Sequence, residues 1–90
     1  MFAISVAAQM TDTQVQNLRV YERAGLLTPD RTPGGTRLYS RDDIAVLLRV
    51  RDLLAEGLPL SGVARVMALQ DEVARLRADN TRLRRRLAGA

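Results

Sequence analysis

The sequence has no cysteine, no histidine, no tryptophan and no lysine, and its aromatic residues are one phenylalanine and two tyrosines. Without cysteine or histidine, the chain forms no disulfide, has no thiol redox sensor and builds no Cys/His site for zinc or copper. The commonest general base and the commonest activated nucleophiles of enzymes are missing as well. We therefore expect a protein that is not an enzyme and that needs no metal or other cofactor.

Long apolar runs are also absent. No stretch approaches the length of a membrane-spanning helix, and the apolar start, residues 1–10, lacks the basic leader of a signal peptide. With 90 residues and few aromatic side chains, the chain has room for a small core of Leu, Val, Ile, Ala and Met. A second copy of the chain would enlarge such a core, so we expect a cytoplasmic homo-oligomer that has no contact with membranes.

The positive charge is carried by arginine alone and is concentrated in two segments. Residues 1–60 balance seven arginines against seven acidic residues, whereas residues 61–90 carry seven arginines against three acidic residues and so account for the formal net charge of +4. Within the first part, residues 13–41 hold five arginines against Glu22 and Asp30. Charge segregated in this way is typical of a protein that binds a polyanion such as nucleic acid. The alternative is a solvated, arginine-rich surface.

Two short helices joined by a tight turn are predicted near the N-terminus. Ser5 is placed to cap the first helix, the polar residues 11–13 form the turn, and Gly25 follows the second helix at a position that favours a left-handed residue. The layout is that of a helix-turn-helix, although other two-helix corners share it. The apolar positions of the two helices are Ile4, Val6, Ala7 and Met10 in the first, and Val15, Leu18 and Tyr21 in the second.

Residues 28–39 predict a small β-hairpin. Pro29 and Pro33 interrupt any helix in this stretch. Pro33 is followed by Gly34 and Gly35, which supply a turn between two short flanking segments. We therefore expect a hairpin with a glycine tip.

A third and a fourth helix are predicted after the hairpin. Ser40 is placed to cap the third helix, and Gly57 ends it. Pro59 precedes the fourth helix, at a position that proline tolerates. The inward-facing positions are predicted to be Ile44, Leu47, Leu48, Arg51 and Leu54 in the third helix, and Leu60, Val63, Val66 and Met67 in the fourth.

From residue 69 the apolar pattern becomes a heptad, with steps of four and three residues and no helix breaker before Gly89. This spacing predicts a short coiled coil, in which a lone asparagine fixes the register. The alternative is an amphipathic helix that packs on its own domain. We therefore predict two parts, a DNA-binding domain over residues 1–68 and a coiled-coil dimerisation helix over residues 69–88. The seam of the coiled coil consists of Leu69, Val73, Leu76, Asn80, Leu83 and Leu87.

Residues 18–39 resemble the sequence motif of the MerR family of winged helix-turn-helix transcription regulators. The motif appears as Leu-Arg-Val-Tyr-Glu-Arg, then Gly-Leu-Leu, Pro29, Arg31, a glycine pair and Arg-Leu-Tyr. The opening Ile-Ser-Val-Ala-Ala-Gln-Met is similar to the HspR type, the heat-shock repressors of chaperone operons. The resemblance implies a mostly α-helical winged helix-turn-helix with a small β-hairpin wing, two further helices and a C-terminal dimerisation helix. The chain departs from the family at Asp12 and Thr13 in the turn and at Asn17 in the second helix.

The same resemblance implies a function. Its members are sequence-specific DNA-binding regulators, so we expect a homodimer that binds double-stranded DNA at an inverted repeat in the nucleoid. The HspR type implies repression and a chaperone as co-regulator. No drug-binding domain and no cysteine loop for metal follow the coiled coil, so we do not expect the ligand sensing of other members.

Candidate DNA-binding residues come from physical reasoning and from the resemblance together. In the second helix, arginine can bind guanine and glutamine or asparagine can bind adenine in the major groove. The resemblance implies that Arg37 and Tyr39 of the wing contact the DNA backbone. For the two tyrosines the alternative is core packing, and for Arg23 it is an ion pair with Glu22 or Asp30. The full set is Gln14, Gln16, Asn17, Arg19, Tyr21, Arg23, Arg31, Arg37 and Tyr39.

Two other functions fit the same features. An architectural or excisionase-like protein would coat DNA in cooperative arrays with the same basic segment. A coiled-coil interaction module would carry its arginines only as a solvated surface. The length of the DNA footprint separates the first alternative from a regulator, and the salt dependence of DNA binding separates the second.

Overall fold

The computed structural model describes residues 1–89 as four helices and a small three-stranded antiparallel sheet. The predicted fold class, mostly α-helical with a β-hairpin wing, is confirmed. Within residues 1–89, no helix is both long and apolar enough to cross a membrane. In chain order the elements are β1 (Phe2–Ala3), α1 (Ile4–Met10), α2 (Val15–Arg23), β2 (Asp30–Arg31), β3 (Arg37–Tyr39), α3 (Arg41–Ala55) and α4 (Leu60–Gly89).

The sheet includes a strand that the hairpin prediction did not contain. β2 and β3 form the predicted hairpin, with Arg31 opposite Arg37. β1 pairs with the other edge of β3, so that the strand order is β1-β3-β2. A strand of two residues shows no alternation of apolar and polar side chains, and so the sequence contains no pattern that indicates it. This pairing attaches the N-terminus of the chain to the wing.

α1 begins one residue earlier than a cap at Ser5 requires, and that prediction is wrong. The residue before the helix is Ala3, which has extended backbone and makes no side-chain cap hydrogen bond. Because Ala3 is paired with β3, the chain leaves the sheet there and turns directly into the helix. The helix buries Ala7 and Ala8, whereas the side chains of Val6 and Met10 are exposed.

The turn between α1 and α2 is closed by hydrogen bonds from threonines. Thr11 is fully buried, and its hydroxyl donates to the carbonyl of Ala7 at 2.9 Å. The hydroxyl of Thr13 donates to the carbonyl of Thr11 at 3.0 Å. Between them, Asp12 has a φ of 48°, a left-handed conformation that Asp adopts more readily than most side chains do. The predicted tight turn over residues 11–13 is confirmed.

α2 ends as the sequence predicts. Gly25 has a φ of 80°, and its N–H donates to the carbonyl of Glu22 while the N–H of Leu26 donates to that of Tyr21. This pair of bonds is a Schellman motif, which needs a left-handed residue that glycine supplies without strain. The chain thereby turns away from α2 towards the wing.

α3 starts with a capping box and buries a different stripe from the predicted one. Ser40 accepts a hydrogen bond from the backbone N–H of Asp43, whose carboxylate accepts one from the backbone N–H of Ser40. The prediction that Arg51 faces inward is wrong, because it is exposed and its guanidinium donates to the carbonyl of Thr11 at 3.3 Å. Leu48 and Leu54 are only half-buried. The buried stripe consists of Ile44, Leu47, Val50 and Leu53.

α4 is one continuous helix of 30 residues. The predicted fourth helix and the heptad segment are therefore parts of the same element, not two helices. Val63 and Met67 pack into the core, and the helix leaves the domain just beyond them. At that point Arg49 of α3 donates to the Gln70 side chain at 2.9 Å and forms an ion pair with Asp71 at 3.1 Å. These contacts fix the direction in which the free half of α4 projects.

Candidate nucleic-acid interface

The outward side of α2 carries the polar residues that sequence analysis assigned to DNA. Leu18 and Tyr21 are buried and anchor the helix from its inner side. The remaining candidates of the helix and its N-cap all lie at the surface. The exposed candidates are Gln14, Gln16, Asn17, Arg19 and Arg23. Amide and guanidinium groups on an exposed helix can form paired hydrogen bonds with base edges.

The wing lies beside the C-terminal end of α2 and is attached to it by one carboxylate. Glu22 accepts a hydrogen bond from Nη2 of Arg31 at 2.9 Å through Oε2, and from Nε of Arg37 at 2.5 Å through Oε1. The side chain of Glu22 is 19% exposed. Its pKa is lowered from the ordinary value of 4.5, first by the hydrogen bond from Arg37 and then, against the raising effect of burial, by the charges of both arginines. The carboxylate is therefore ionised at neutral pH.

These contacts decide the alternative that the sequence left open for Arg23. Glu22 is occupied by two arginines of the wing, one from each strand of the hairpin. Among residues 1–89, Arg23 forms no ion pair with Glu22 or Asp30 and is exposed. Its guanidinium is therefore available to a ligand.

Both candidate tyrosines are core residues in this conformation. Tyr39 is fully buried and Tyr21 is 7% exposed, and burial raises the pKa of both hydroxyls. The Tyr39 hydroxyl has no hydrogen-bond partner within the part of the chain that the structure describes. Core packing, the alternative reading of the two tyrosines, is what the structure shows. A contact between their hydroxyls and phosphate stays a prediction.

The hairpin tip is held by backbone bonds that require glycine. The N–H of Gly35 donates to the carbonyl of Thr32 at 2.8 Å, and the N–H of Thr32 donates to the carbonyl of Thr36 at 2.8 Å. Gly35 has a φ of 87°, which disfavours residues with a side chain. The guanidinium of Arg31 also donates to the carbonyl of Gly35 at 3.2 Å. The arginine that is bound to Glu22 therefore also holds the tip.

The free half of α4 presents an exposed apolar seam. Its five aliphatic residues are between 43% and 78% exposed, and Asn80 is exposed as well. The seam of the predicted coiled coil therefore does not pack on its own domain. Beside it, Asp79 forms ion pairs with Arg75 at 3.2 Å and with Arg82 at 3.1 Å on the same helix.

Comparison with known proteins gives the family. The model of the MerR HTH family of regulatory proteins matches residues 2–70 of this chain. The chain belongs to the MerR HTH family. Over 99% of its length it is 44% identical to a Streptomyces coelicolor protein named for the heat shock protein HspR, and it spans 60% of the length of that relative.

Solved structures of MerR-family proteins have the same fold. A MerR-family transcriptional regulator from Bacillus cereus is 32% identical, with a TM-score of 0.66, and the alignment covers 97% of this chain and 75% of that one. HiNmlR, a MerR-family regulator whose structure is bound to promoter DNA, aligns with a TM-score of 0.66 over 96% of this chain and 77% of its own. At 20% identity, that second likeness concerns the fold alone.

Sequence analysis gave three contributors to this MerR-type site no role. Glu22 belongs to the family motif, but its task depends on the wing lying against α2. The signal that could have found it is its isolation, since it is the single acidic residue in residues 13–29. β1 and the Arg49 contacts with α4 depend on partners distant in the sequence and carry no local signal.

Proposed function

We propose that this chain is a DNA-binding transcription regulator that acts as a homodimer on an inverted-repeat operator. The observation that carries the proposal is the joint placement of an exposed polar face on α2 and an arginine-bearing wing attached to the end of the same helix. Membership of the MerR HTH family supports it. Two such units related by a two-fold axis would read a symmetric site. Because its ligand is DNA, we place the protein in the cytoplasm at the nucleoid.

The contacts divide between the helix and the wing. In this proposal Gln16, Asn17 and Arg19 reach base edges, and Gln14 lies at the start of the helix where phosphates approach. Arg23, Arg31 and Arg37 contact the phosphate backbone and orient the protein on the duplex. Tyr21 and Tyr39 stay in the core unless the wing shifts on binding. Neither titratable groups nor a cofactor are needed for such recognition.

The two predicted parts of the chain take different tasks. Residues 1–68 form the DNA-binding domain, and residues 69–88 pair with the same segment of a second chain. The exposed aliphatic seam supports this division, since residues so apolar and so exposed usually mark an interface. We infer a homodimer because a heptad seam is complementary to itself.

Antiparallel pairing of the two α4 helices is the orientation that we propose. In the sequence, the charges beside the seam favour parallel pairing, because an antiparallel pair brings Asp79 near its own copy. The ion pairs of Asp79 with Arg75 and Arg82 on the same helix weaken that repulsion. Glu72, which would attract Arg77 of a parallel partner, is already paired with Arg75 at 2.5 Å. Surface pairs contribute only about 0.2–1 kcal/mol each, so packing of the apolar seam decides the orientation.

Repression, as in the HspR type, is the regulatory output that we propose. Its support is the 44% identity to the Streptomyces coelicolor relative over nearly the whole chain. A chaperone as co-regulator is part of the same proposal and rests on that likeness alone.

Selection of bound sequences from a random duplex library tests the function directly. We expect an inverted repeat to be enriched, one bounded footprint on it, and a steep loss of affinity with salt, because phosphate contacts release counterions. A footprint that spreads with protein concentration would favour the array-forming architectural protein. The absence of DNA binding at low salt would favour the coiled-coil interaction module and overturn the proposal.

A further inference from the structure

The two arginines of the wing share one carboxylate, and each oxygen of that carboxylate binds a different arginine. Glu22 stands in the last turn of α2, Arg31 lies on β2 and Arg37 on β3. The contacts thus join the recognition helix to both strands of the hairpin. The strands have two and three residues, and so short a hairpin is only marginally stable without packing partners. Its position relative to α2 therefore depends on contacts of this kind.

We propose that Glu22 is a positioning residue for DNA recognition: it couples the wing to α2 so that both meet the duplex as one unit. The inference rests on the proposed function and adds to it a residue that need not touch DNA. Arg37 uses its Nε for Glu22, and its two Nη groups make no other hydrogen bond within residues 1–89. A guanidinium has five N–H donors, so the contact orients Arg37 and leaves its outer donors for a phosphate.

Electrostatics alone gives Glu22 the opposite effect. A carboxylate placed among arginines that face DNA cancels part of their charge and repels phosphate. Removing it would raise the affinity for any DNA if charge were its only contribution. The positioning role instead lowers the affinity for the operator when the carboxylate is lost or displaced. The two accounts therefore differ in the sign of the effect.

Three variants separate these accounts. Glu22→Gln removes the charge, Glu22→Asp keeps the charge but shortens the reach, and Asp30→Asn is the matched control. Asp30 lies on the same hairpin and forms no ion pair among the residues that the structure describes. Fluorescence anisotropy gives the affinity of each full-length variant for the selected operator and for random-sequence duplex over a series of salt concentrations. The wild type is measured first, and if it binds no DNA the proposed function fails before any variant is compared.

Both Glu22 variants are expected to bind the operator about tenfold more weakly, the change that corresponds to 1.4 kcal/mol. Their affinity for random duplex is expected to stay the same or, for Glu22→Gln, to rise. Asp30→Asn is expected to bind both DNAs as well as the wild type or better. The Glu22→Gln effect should largely disappear when Arg31 and Arg37 are already replaced by alanine, because the coupled groups are then absent.

A second measurement needs no DNA. Hydrogen exchange of the free protein should show faster exchange of the wing amides in Glu22→Gln, while α3 is unchanged. The inference is overturned if Glu22→Gln behaves like Asp30→Asn, if Glu22→Asp binds the operator like the wild type, or if wing exchange is the same in all variants. A loss of affinity for both DNAs together with a loss of helix content would also overturn it, because Glu22 would then be needed only for folding.

Discussion

Neighbouring residues of α2 have opposite tasks, and their burial separates them. Leu18 is fully buried and ties the helix to the core, whereas Arg19 is exposed and is the candidate with the widest choice of base and phosphate acceptors. A substitution at Leu18 therefore changes folding, while one at Arg19 leaves the packing intact. This separation makes Arg19 the residue at which DNA recognition is best tested.

Arg19→Ala is expected to weaken operator binding by about 1–3 kcal/mol, the loss of one good base-edge or phosphate contact. Because the side chain is exposed, the Tm should hardly change. Anisotropy titration against the selected operator and thermal unfolding measure the two quantities. Unchanged operator affinity in the folded variant would contradict the assignment of α2 as the recognition helix.

Glu22 also predicts a dependence of stability on pH. Its pKa is lowered from 4.5 in the folded protein, so the contribution of its contacts is complete above that value and is lost as pH falls through the lower folded pKa. Glu22→Gln should therefore be less stable than the wild type at neutral pH, and the gap should narrow towards about pH 3. Urea unfolding at both pH values measures this gap. A gap that does not change with pH would show that the carboxylate charge does not stabilise the fold.

At the scale of elements, the contacts between elements matter more than the elements themselves. α2 is joined to the wing by the Gly25 turn along the chain and by Glu22 through space. α3 is joined to α4 where the latter leaves the domain, through Arg49. The first pair of contacts sets where the wing lies relative to the recognition helix. The Arg49 contacts set the direction of the dimerisation segment, and with it the spacing of two DNA-binding domains.

Gly25→Ala tests the turn after α2. Space is not the obstacle, since a Cβ at Gly25 would meet no atom within 4 Å, but the φ of 80° is left-handed. The variant should be destabilised by about 1–2 kcal/mol. Gly34→Ala is the matched control, because Gly34 does not have a positive φ and a Cβ there would meet only a side-chain oxygen at 3.9 Å. Urea unfolding should show little change for Gly34→Ala, and equal losses for the two variants would contradict the backbone explanation.

At the scale of the whole molecule, the single chain is elongated and incomplete. It measures 55 × 33 × 20 Å, since the free half of α4 projects from the domain. The seam on that half is the largest group of exposed aliphatic residues among those that the structure describes. A second copy of the chain would cover it and would also supply the second half of a symmetric DNA-binding surface.

Replacing Leu76 and Leu83 together by aspartate should yield monomers, because it places four charges in the seam of the dimer. Operator affinity should fall strongly, since each DNA-binding domain would then bind a half-site alone. The matched control replaces Ala74 and Ala78, which lie outside the seam, by aspartate, and this variant should remain dimeric. Sedimentation analysis gives the oligomeric state. A wild type that is monomeric at DNA-binding concentrations would contradict the dimer and favour the array-forming protein.

The orientation of the pair is accessible because the chain has no cysteine of its own. Single cysteines are introduced in place of Leu69 and of Leu87, at the two ends of the seam. Antiparallel helices should form a disulfide only in the mixture of the two variants, because each end then faces the opposite end. Disulfide formation within each variant separately would instead show parallel pairing.

The sequence alone determined the elements whose signals are local. The capped start of α3, the glycine after α2, the glycine tip of the hairpin and the exposed heptad seam depend on residues within a few positions of one another, and the structure contains all four. The family motif is local in the same sense, and the fold class and family that it implied are confirmed. The polar face of α2 also follows from spacing along one helix.

Only the tertiary structure decided the features that join distant parts of the chain. β1 exists because its two residues meet β3, which lies more than thirty residues further along the sequence. Arg51 leaves the core because the carbonyl of Thr11 offers its guanidinium an acceptor near the surface. Glu22 binds Arg31 and Arg37 instead of Arg23 because folding brings the hairpin back against the end of α2. Such pairings depend on three-dimensional proximity, which no local pattern of residues encodes.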